Sequence, residues 1–324
     1  MILSSIFLLI SALIPILQDT TTVPLELPTL YAVTSTNPNI VLAVGEKGTV
    51  VRSTDGGTTW HHARVPLQFT SDLLGVTFST NQHGWAVGKD GAILKSTDAG
   101  RSWGRVRFET KQTIVSITFV STKIGWCVGT GGTILRTSDG GETWKAQTSG
   151  VTNHLWSASF LNTTTGWCVG SSGIILKTTN SGTTWKALDP GVKNFCYGVQ
   201  FVNQNIGWVV GGYGTMVKTT DGGSTWLRQN TRPHLSVFQS QTFFYGVHFL
   251  DSLNGVLVGD GGMITRTMDG GATMNECAPQ TTEVLFDVQL ANRSTGWAVG
   301  AHGTILKTTD GGTAWLPQSF PKPK

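Results

Sequence analysis

Short runs in which apolar and polar residues alternate recur along the chain: LLGVTF at 73–78, IVSITF at 114–119, LWSASF at 155–160, CYGVQF at 196–201 and FYGVHF at 244–249. A period of two sends successive side chains to opposite faces, which marks half-buried strands. After each run come a short polar turn, an apolar pentad such as GWAVG, a Gly-x-x-Gly pair, a second run such as TILKT, and a polar box closed by an aromatic residue. Glycine pairs suit tight hairpins, and Asp-Gly-Gly suits a turn that the Asp side chain caps. The unit therefore reads strand, turn, strand, glycine turn, strand, box turn, strand. No segment keeps helical periodicity, so the chain is predicted to be all-β.

The unit repeats seven times. Its boxes end at Trp60, Trp103, Trp144, Trp185, Trp226, Met274 and Trp315, spaced 41 to 48 residues apart. The long interval falls in an insertion at 227–242. Repeats of this length match four-stranded propeller blades, each of which buries its faces only against its neighbours. The prediction is a single seven-bladed β-propeller over residues 31–320, with a tail at 321–324. Residues 24–29 or residues 313–320 are the two ways to supply the outer strand of the last blade, and 19–30 reads as a linker or closing strand.

Composition changes this picture little. Of 324 residues, 41 are Gly, 12 are Trp and 13% are charged, against disorder. A net charge of +4 without a basic run gives no nucleic-acid footprint. Residues 1–18 open with the apolar MILSSIFLLISALIPIL, too short and interrupted for a membrane span but suited to a secretory signal, so the protein is expected in a secreted or lumenal compartment. The sequons at Asn162 and Asn292 agree weakly. Cys127 and Cys168 occupy a slot that holds Ala86 and Val209 in other repeats, which reads as packing; Cys196 and Cys277 are free to pair but nothing demands it.

The seven S/T-x-D-x-G-x-T-W boxes resemble the Asp-box (BNR) repeats of sialidases, sortilin-type receptors and some glycoside hydrolases. The fuller GWAVG-x-x-G-x-I-L-K-T-T-D-G-G-x-T-W is more similar to the photosystem II assembly and stability factor family of the thylakoid lumen and its non-photosynthetic relatives. The resemblance spans roughly residues 31–320. It implies a non-catalytic scaffold that holds a protein partner, in a photosynthetic source a membrane-protein complex, through an arginine-rich surface. The alternatives are a secreted propeller that binds carbohydrate or protein, lectin- or sortilin-like, and a glycoside hydrolase.

Three sets of residues compete as sites. The box carboxylates lie one per blade and cannot converge on a metal, so no metal or cofactor is expected. Seven cations, Arg52, Lys95, Arg136, Lys177, Lys218, Arg266 and Lys307, stand three residues before each box Asp or Asn, a regularity that suits packing between blades. Less regular are Tyr31, Leu74, Val115, Trp156, Tyr197, Tyr245 and Phe286, early in each first strand, where a propeller lines its channel. The aromatic members Tyr31, Trp156, Tyr197, Tyr245 and Phe286, with Asp287, make a candidate ligand site at one channel mouth, suited to a sugar or a peptide; His248 and Gln200 are further polar candidates. Arg101, Arg105, Arg107 and Lys111 form a candidate partner-binding stripe on the second blade. No paired carboxylates, arginine triad, nucleophile elbow or phosphate loop argues for catalysis.

Overall fold

The computed structural model describes residues 26–230, 242–278 and 280–321. The apolar segment at 1–18, most of the insertion and the last three residues lie outside these. The described chain forms seven four-stranded antiparallel sheets, each built from four consecutive strands. Blade 4 is representative: Leu155–Phe160 is innermost, followed outward by Gly166–Gly170, Ile175–Thr178 and Lys186–Leu188. The blades start at residues 30, 73, 114, 155, 196, 244 and 285. This is the seven-bladed propeller that the repeat predicts. Its core is divided among the blade interfaces, each packing the apolar second strand of one blade against its neighbour.

One tryptophan in each of five repeats explains most of that packing. Trp85, Trp126, Trp167, Trp208 and Trp297 are fully buried in second strands. Each donates its indole N–H to a backbone carbonyl in the next blade's box: Trp85 to Gly140, Trp126 to Ser181, Trp167 to Gly222, Trp208 to Gly270 and Trp297 to Gly56, at 3.0–3.3 Å. Four of them also stack on the phenylalanine that ends the next blade's first strand, at 3.5–3.8 Å between centroids. Burial of so large a ring with its N–H satisfied is among the strongest single packing contributions available. Blades 1 and 6 carry Leu42 and Val256 in this slot and lack the bond.

The repeated cations complete the same interfaces. Lys95 lies opposite Trp85 in the strand register, and its ammonium sits 5.8 Å from the indole centroid. Arg136, Lys177 and Lys218 repeat the contact at 5.2–5.7 Å. The heads reach into the next blade: Arg52 donates to the Ala99 carbonyl, Lys177 to the Gly222 carbonyl and Arg266 to the Thr313 hydroxyl. Their role is interblade packing.

Each box closes on itself. In the first, Asp55 accepts the Thr59 N–H at 2.9 Å and the Thr59 hydroxyl at 2.6 Å, while Ser53 Oγ accepts the Gly57 N–H at 2.7 Å. Gly57 needs its left-handed φ of 89°, and a Cβ there would stand 2.6 Å from the Trp297 indole nitrogen. These bonds hold the carboxyls of Asp55, Asp139, Asp221 and Asp269 down to about 2. Asn180 substitutes by accepting the Thr184 N–H and donating to its hydroxyl, as a turn cap does.

The ring closes without a shared sheet. Leu316–Pro317 is the outer strand of blade 7, and residues 26–29 act as a link instead. The Pro28 carbonyl accepts the Gly303 N–H at 3.0 Å, as the Gln112 carbonyl accepts that of Gly91 between blades 2 and 3. All four cysteines are free thiols, three of them buried.

Candidate functional site

Glycine turns and interblade links share one face of the disc, and boxes occupy the other. First strands begin at the link face, so their early residues meet at that mouth of the channel. The structure brings the five sequence-predicted aromatics together there. Around the ring from blade 1 backwards, Tyr31 lies 5.4 Å from Phe286, Phe286 5.5 Å from Tyr245, Tyr245 5.1 Å from Tyr197, and Tyr197 6.4 Å from Trp156. Consecutive rings tilt by 45–56°. They form an arc around a cup of about 270 Å³, completed by Leu74 and Val115 from blades 2 and 3.

Three aromatics that pattern alone missed extend the arc outward. Phe195 and Phe243 directly precede the first strands of blades 5 and 6, and Tyr213 sits inside the glycine turn of blade 5. Tyr213 lies 5.2 Å from Phe243, and Phe195 stacks on Tyr197 at 6.0 Å. Tyr213 is half exposed and holds a left-handed φ of 56°, a costly conformation for a bulky residue. The signal available in sequence was that Phe195 and Phe243 occupy a slot filled in other repeats by Thr29, Asp72, Thr113, His154 and Val284.

Carboxylates border the aromatics. Glu46 accepts the Tyr31 hydroxyl at 3.3 Å and the Thr29 N–H at 2.9 Å. Asp260 accepts the Phe243 N–H at 3.1 Å, and its charge lies beside the Tyr245 hydroxyl. Burial, then the neighbouring Glu46 and Asp72 charges, push the Tyr31 phenol up to about 12. Burial and Asp260 raise the phenols of Tyr197 and Tyr245 as well. Asp72 and Glu283 on the same rim are paired with Lys89 and His302, both at 2.7 Å.

The inner polar candidates behave differently. Asp287 lines the cup, the sole carboxylate among the described lining residues, but each oxygen accepts a backbone N–H at 2.9 Å, from Val33 of blade 1 and from Val288. Burial raises its carboxyl to about 7 against the pull of those two bonds. His248 and Gln200 do not line the cup. Gln200 exchanges bonds with the Phe249 backbone of blade 6, and His248 contacts Gln289 and the Leu290 N–H of blade 7. Burial depresses the His248 imidazole to about 4. First strands of neighbouring blades are not paired, so these side chains tie them together.

The basic stripe is exposed along its length. Arg101 leaves the box turn of blade 2, Arg105 the outer strand Gly104–Arg105, and Arg107 lies beyond that strand; half-buried Val106 between them still donates its N–H to the Ile93 carbonyl. Lys111 follows on the link to blade 3, so the four residues run from the box face to the link face. Arg101 also faces blade 1. The Arg64 N–H donates to its carbonyl at 2.9 Å, and Arg52, Arg64, Arg101 and His61 line a surface cleft of about 570 Å³ between the two blades.

The sequence model of the photosynthesis system II assembly factor YCF48 family matches residues 23–97, 96–193 and 184–278. No curated protein matches. Among solved structures, one described as YCF48 bound to D1 peptide superposes with a TM-score of 0.73 at 18% identity, covering 88% of this chain and 92% of that one. YCF48 from Cyanidioschyzon merolae gives 0.70 at 22% identity, covering 88% and 97%. The GH74 xyloglucanase from Xanthomonas campestris gives 0.73 at 10% identity, with this chain spanning 53% of its length. At these identities the likeness to the structures is one of fold.

Proposed function

Because this chain belongs to the photosynthesis system II assembly factor YCF48 family, we propose that it is a non-catalytic scaffold that holds a protein partner, in a photosynthetic source an immature photosystem II component. The observation that carries the reading is the match of three successive segments, at 23–97, 96–193 and 184–278, to that family. A relative solved with a D1 peptide supports a polypeptide as the partner. Membership of a family of thylakoid-lumen assembly factors supports a lumenal location for the scaffold. The stripe of Arg101, Arg105, Arg107 and Lys111 supplies a surface without packing duties, since all four are exposed while the repeated cations are held in the blade interfaces.

A hydrolase reading has less support. Acid–base glycoside cleavage needs two carboxylates across one bond. The cup offers Asp287 alone among its described lining residues, with both oxygens engaged by backbone.

The test is affinity capture from solubilised membranes of the source, using wild-type protein and the double variant Arg105→Glu, Arg107→Glu. Recovery of photosystem II subunits by the wild type and their loss from the variant is expected. Capture of glycoproteins released by free sugar, equal for both proteins, would overturn the reading and favour the lectin alternative.

A further inference from the structure

The cleft between blades 1 and 2 departs from sevenfold regularity in charge and in backbone, independently of the aromatic cup. We propose that this cleft binds a phosphate group, held by the guanidinium groups of Arg52, Arg64 and Arg101.

The repeat supplies the comparison for charge. The residue three places after each box Asp or Asn stands where the repeated cation of the preceding blade arrives. In blade 3 it is Glu142, which pairs with Lys95, and in blade 7 it is Thr313, whose hydroxyl accepts a bond from Arg266 at 2.7 Å. Other blades hold Thr, Ser or Ala there, and blade 2 alone holds a cation, Arg101. Its neighbour across the interface is Arg52. Burial and then the Arg101 charge lower the Arg52 guanidinium from its ordinary range, against the weaker pull of Asp98. Asp98 is engaged within its own box, accepting the Ser102 N–H at 2.9 Å and the Ser102 hydroxyl at 2.6 Å. Two like charges thus meet at a position where the other interfaces pair or neutralise the cation.

The backbone adds the third arginine. The Arg64 N–H donates to the Arg101 carbonyl and the Trp103 N–H to the Arg64 carbonyl, both at 2.9 Å, so Arg64 is fixed beside the turn that carries Arg101. This is the single isolated bridge among the described residues. None of the three arginines takes part in an ion pair there, and only the Arg52 side chain makes a hydrogen bond, from Nε to the Ala99 carbonyl at 2.7 Å. The cleft that they line with His61, Ala63 and Pro321 has no carboxylate among its described lining residues. Guanidinium forks match the oxygens of carboxylate and phosphate alike. Charge decides between them. A carboxylate brings one negative charge to three cations, whereas a phosphate monoester brings about −1.5 to −2 with three acceptor oxygens. At about 570 Å³ the cleft has room for that group and for the organic part that carries it.

The test uses the purified full chain, with calorimetry and phosphorus NMR at constant ionic strength. The probes are inorganic phosphate, phenyl phosphate, glutarate and vesicles of phosphatidylglycerol. Saturable binding of both soluble phosphates is expected, with glutarate at least tenfold weaker. Arg64→Ala and Arg101→Thr should each weaken phosphate binding by about tenfold. Arg101→Thr installs the residue type that blades 1, 4 and 7 carry, so its melting temperature in phosphate-free buffer should equal or exceed that of the wild type. Added phosphate should then raise the melting temperature of the wild type and leave that of Arg101→Thr nearly unchanged. Lys186→Ala, at an exposed cation on blade 4, should bind as the wild type does. Retention on vesicles that phenyl phosphate displaces supports the site and assigns it to a lipid headgroup. Soluble binding without retention supports the site and assigns it to a soluble phosphate ester. Equal affinity for glutarate, equal affinity in Arg101→Thr, an equal loss in Lys186→Ala, or no saturation by either phosphate would each overturn the proposal. Partner capture is read on Arg105 and Arg107, which lie outside the cleft, so either idea fails alone.

Discussion

The box face and the link face of this propeller are built from the same repeat, yet they are used in opposite ways. At the box face every blade repeats the same hydrogen bonds: box Asp or Asn to the backbone N–H four residues on, save for small variations at Asn180 and Asp310. At the link face the corresponding positions diverge into Tyr, Leu, Val, Trp, Tyr, Tyr and Phe, with carboxylates on some blades and not on others. Sevenfold regularity belongs to what every blade needs, namely a closed turn and a sealed neighbour. Departure from it marks where one side of the ring has to differ from the other.

If that division holds, substitutions at regular positions cost stability and substitutions at irregular ones cost binding. The largest effect is expected for Trp167→Ala, which removes a fully buried ring, its bond to Gly222 and its stack on Phe201; a loss of about 3–5 kcal/mol should appear in denaturant unfolding. Trp156→Ala, on the half-buried arc, should cost less than half as much; an equal loss would break the comparison. Next comes Asp139→Ala, which strips the cap from one box and should cost about 1 kcal/mol. Its carboxyl is held down to about 2, so the difference from wild type should be complete above the ordinary carboxylate range and vanish as pH falls through about 2.

Asp287→Asn sharpens the comparison with the opposite sign. The Asp287 carboxyl is raised to about 7, so the folded protein holds its proton more tightly than the unfolded chain. The wild-type advantage over the variant should be full below about pH 4 and be lost as pH rises through about 7, as read from melting temperatures across that range. His248 and the boxes titrate in both proteins and cancel. The smallest stability effect is expected for Arg105→Glu with Arg107→Glu, within about 0.5 kcal/mol, because both side chains are exposed. A larger loss in a thermal melt would mean that the stripe belongs to the fold.

Strand order, blade number and the aromatic arc were legible because each follows from counting. A period of two fixes the face, the repeat fixes the blade, and a fixed place in each first strand fixes the mouth. What could not be read is what depends on neighbouring blades. Asp287, His248 and Gln200 looked like free polar groups, but the unpaired edges of adjacent first strands supply backbone partners that no single repeat reveals. Phe195, Phe243 and Tyr213 join the mouth because links and glycine turns fold over it, a relation set by three dimensions and not by spacing. The chain-end alternatives stayed open in sequence for the same reason, since Pro28 meets Gly303 only once the ring has closed.

That closure has a consequence for how the chain can be cut. Because every sheet is made of four consecutive strands, the first and last described stretches, residues 26–29 and 318–321, meet at a joint between blades, one of seven joints of the same kind. Among the described residues, no sheet is completed by strands from both ends. A circular permutant opened in the link at 189–194, with its original ends tethered, would still contain seven whole sheets. Whole repeats are then the natural units in which such a ring gains or loses material.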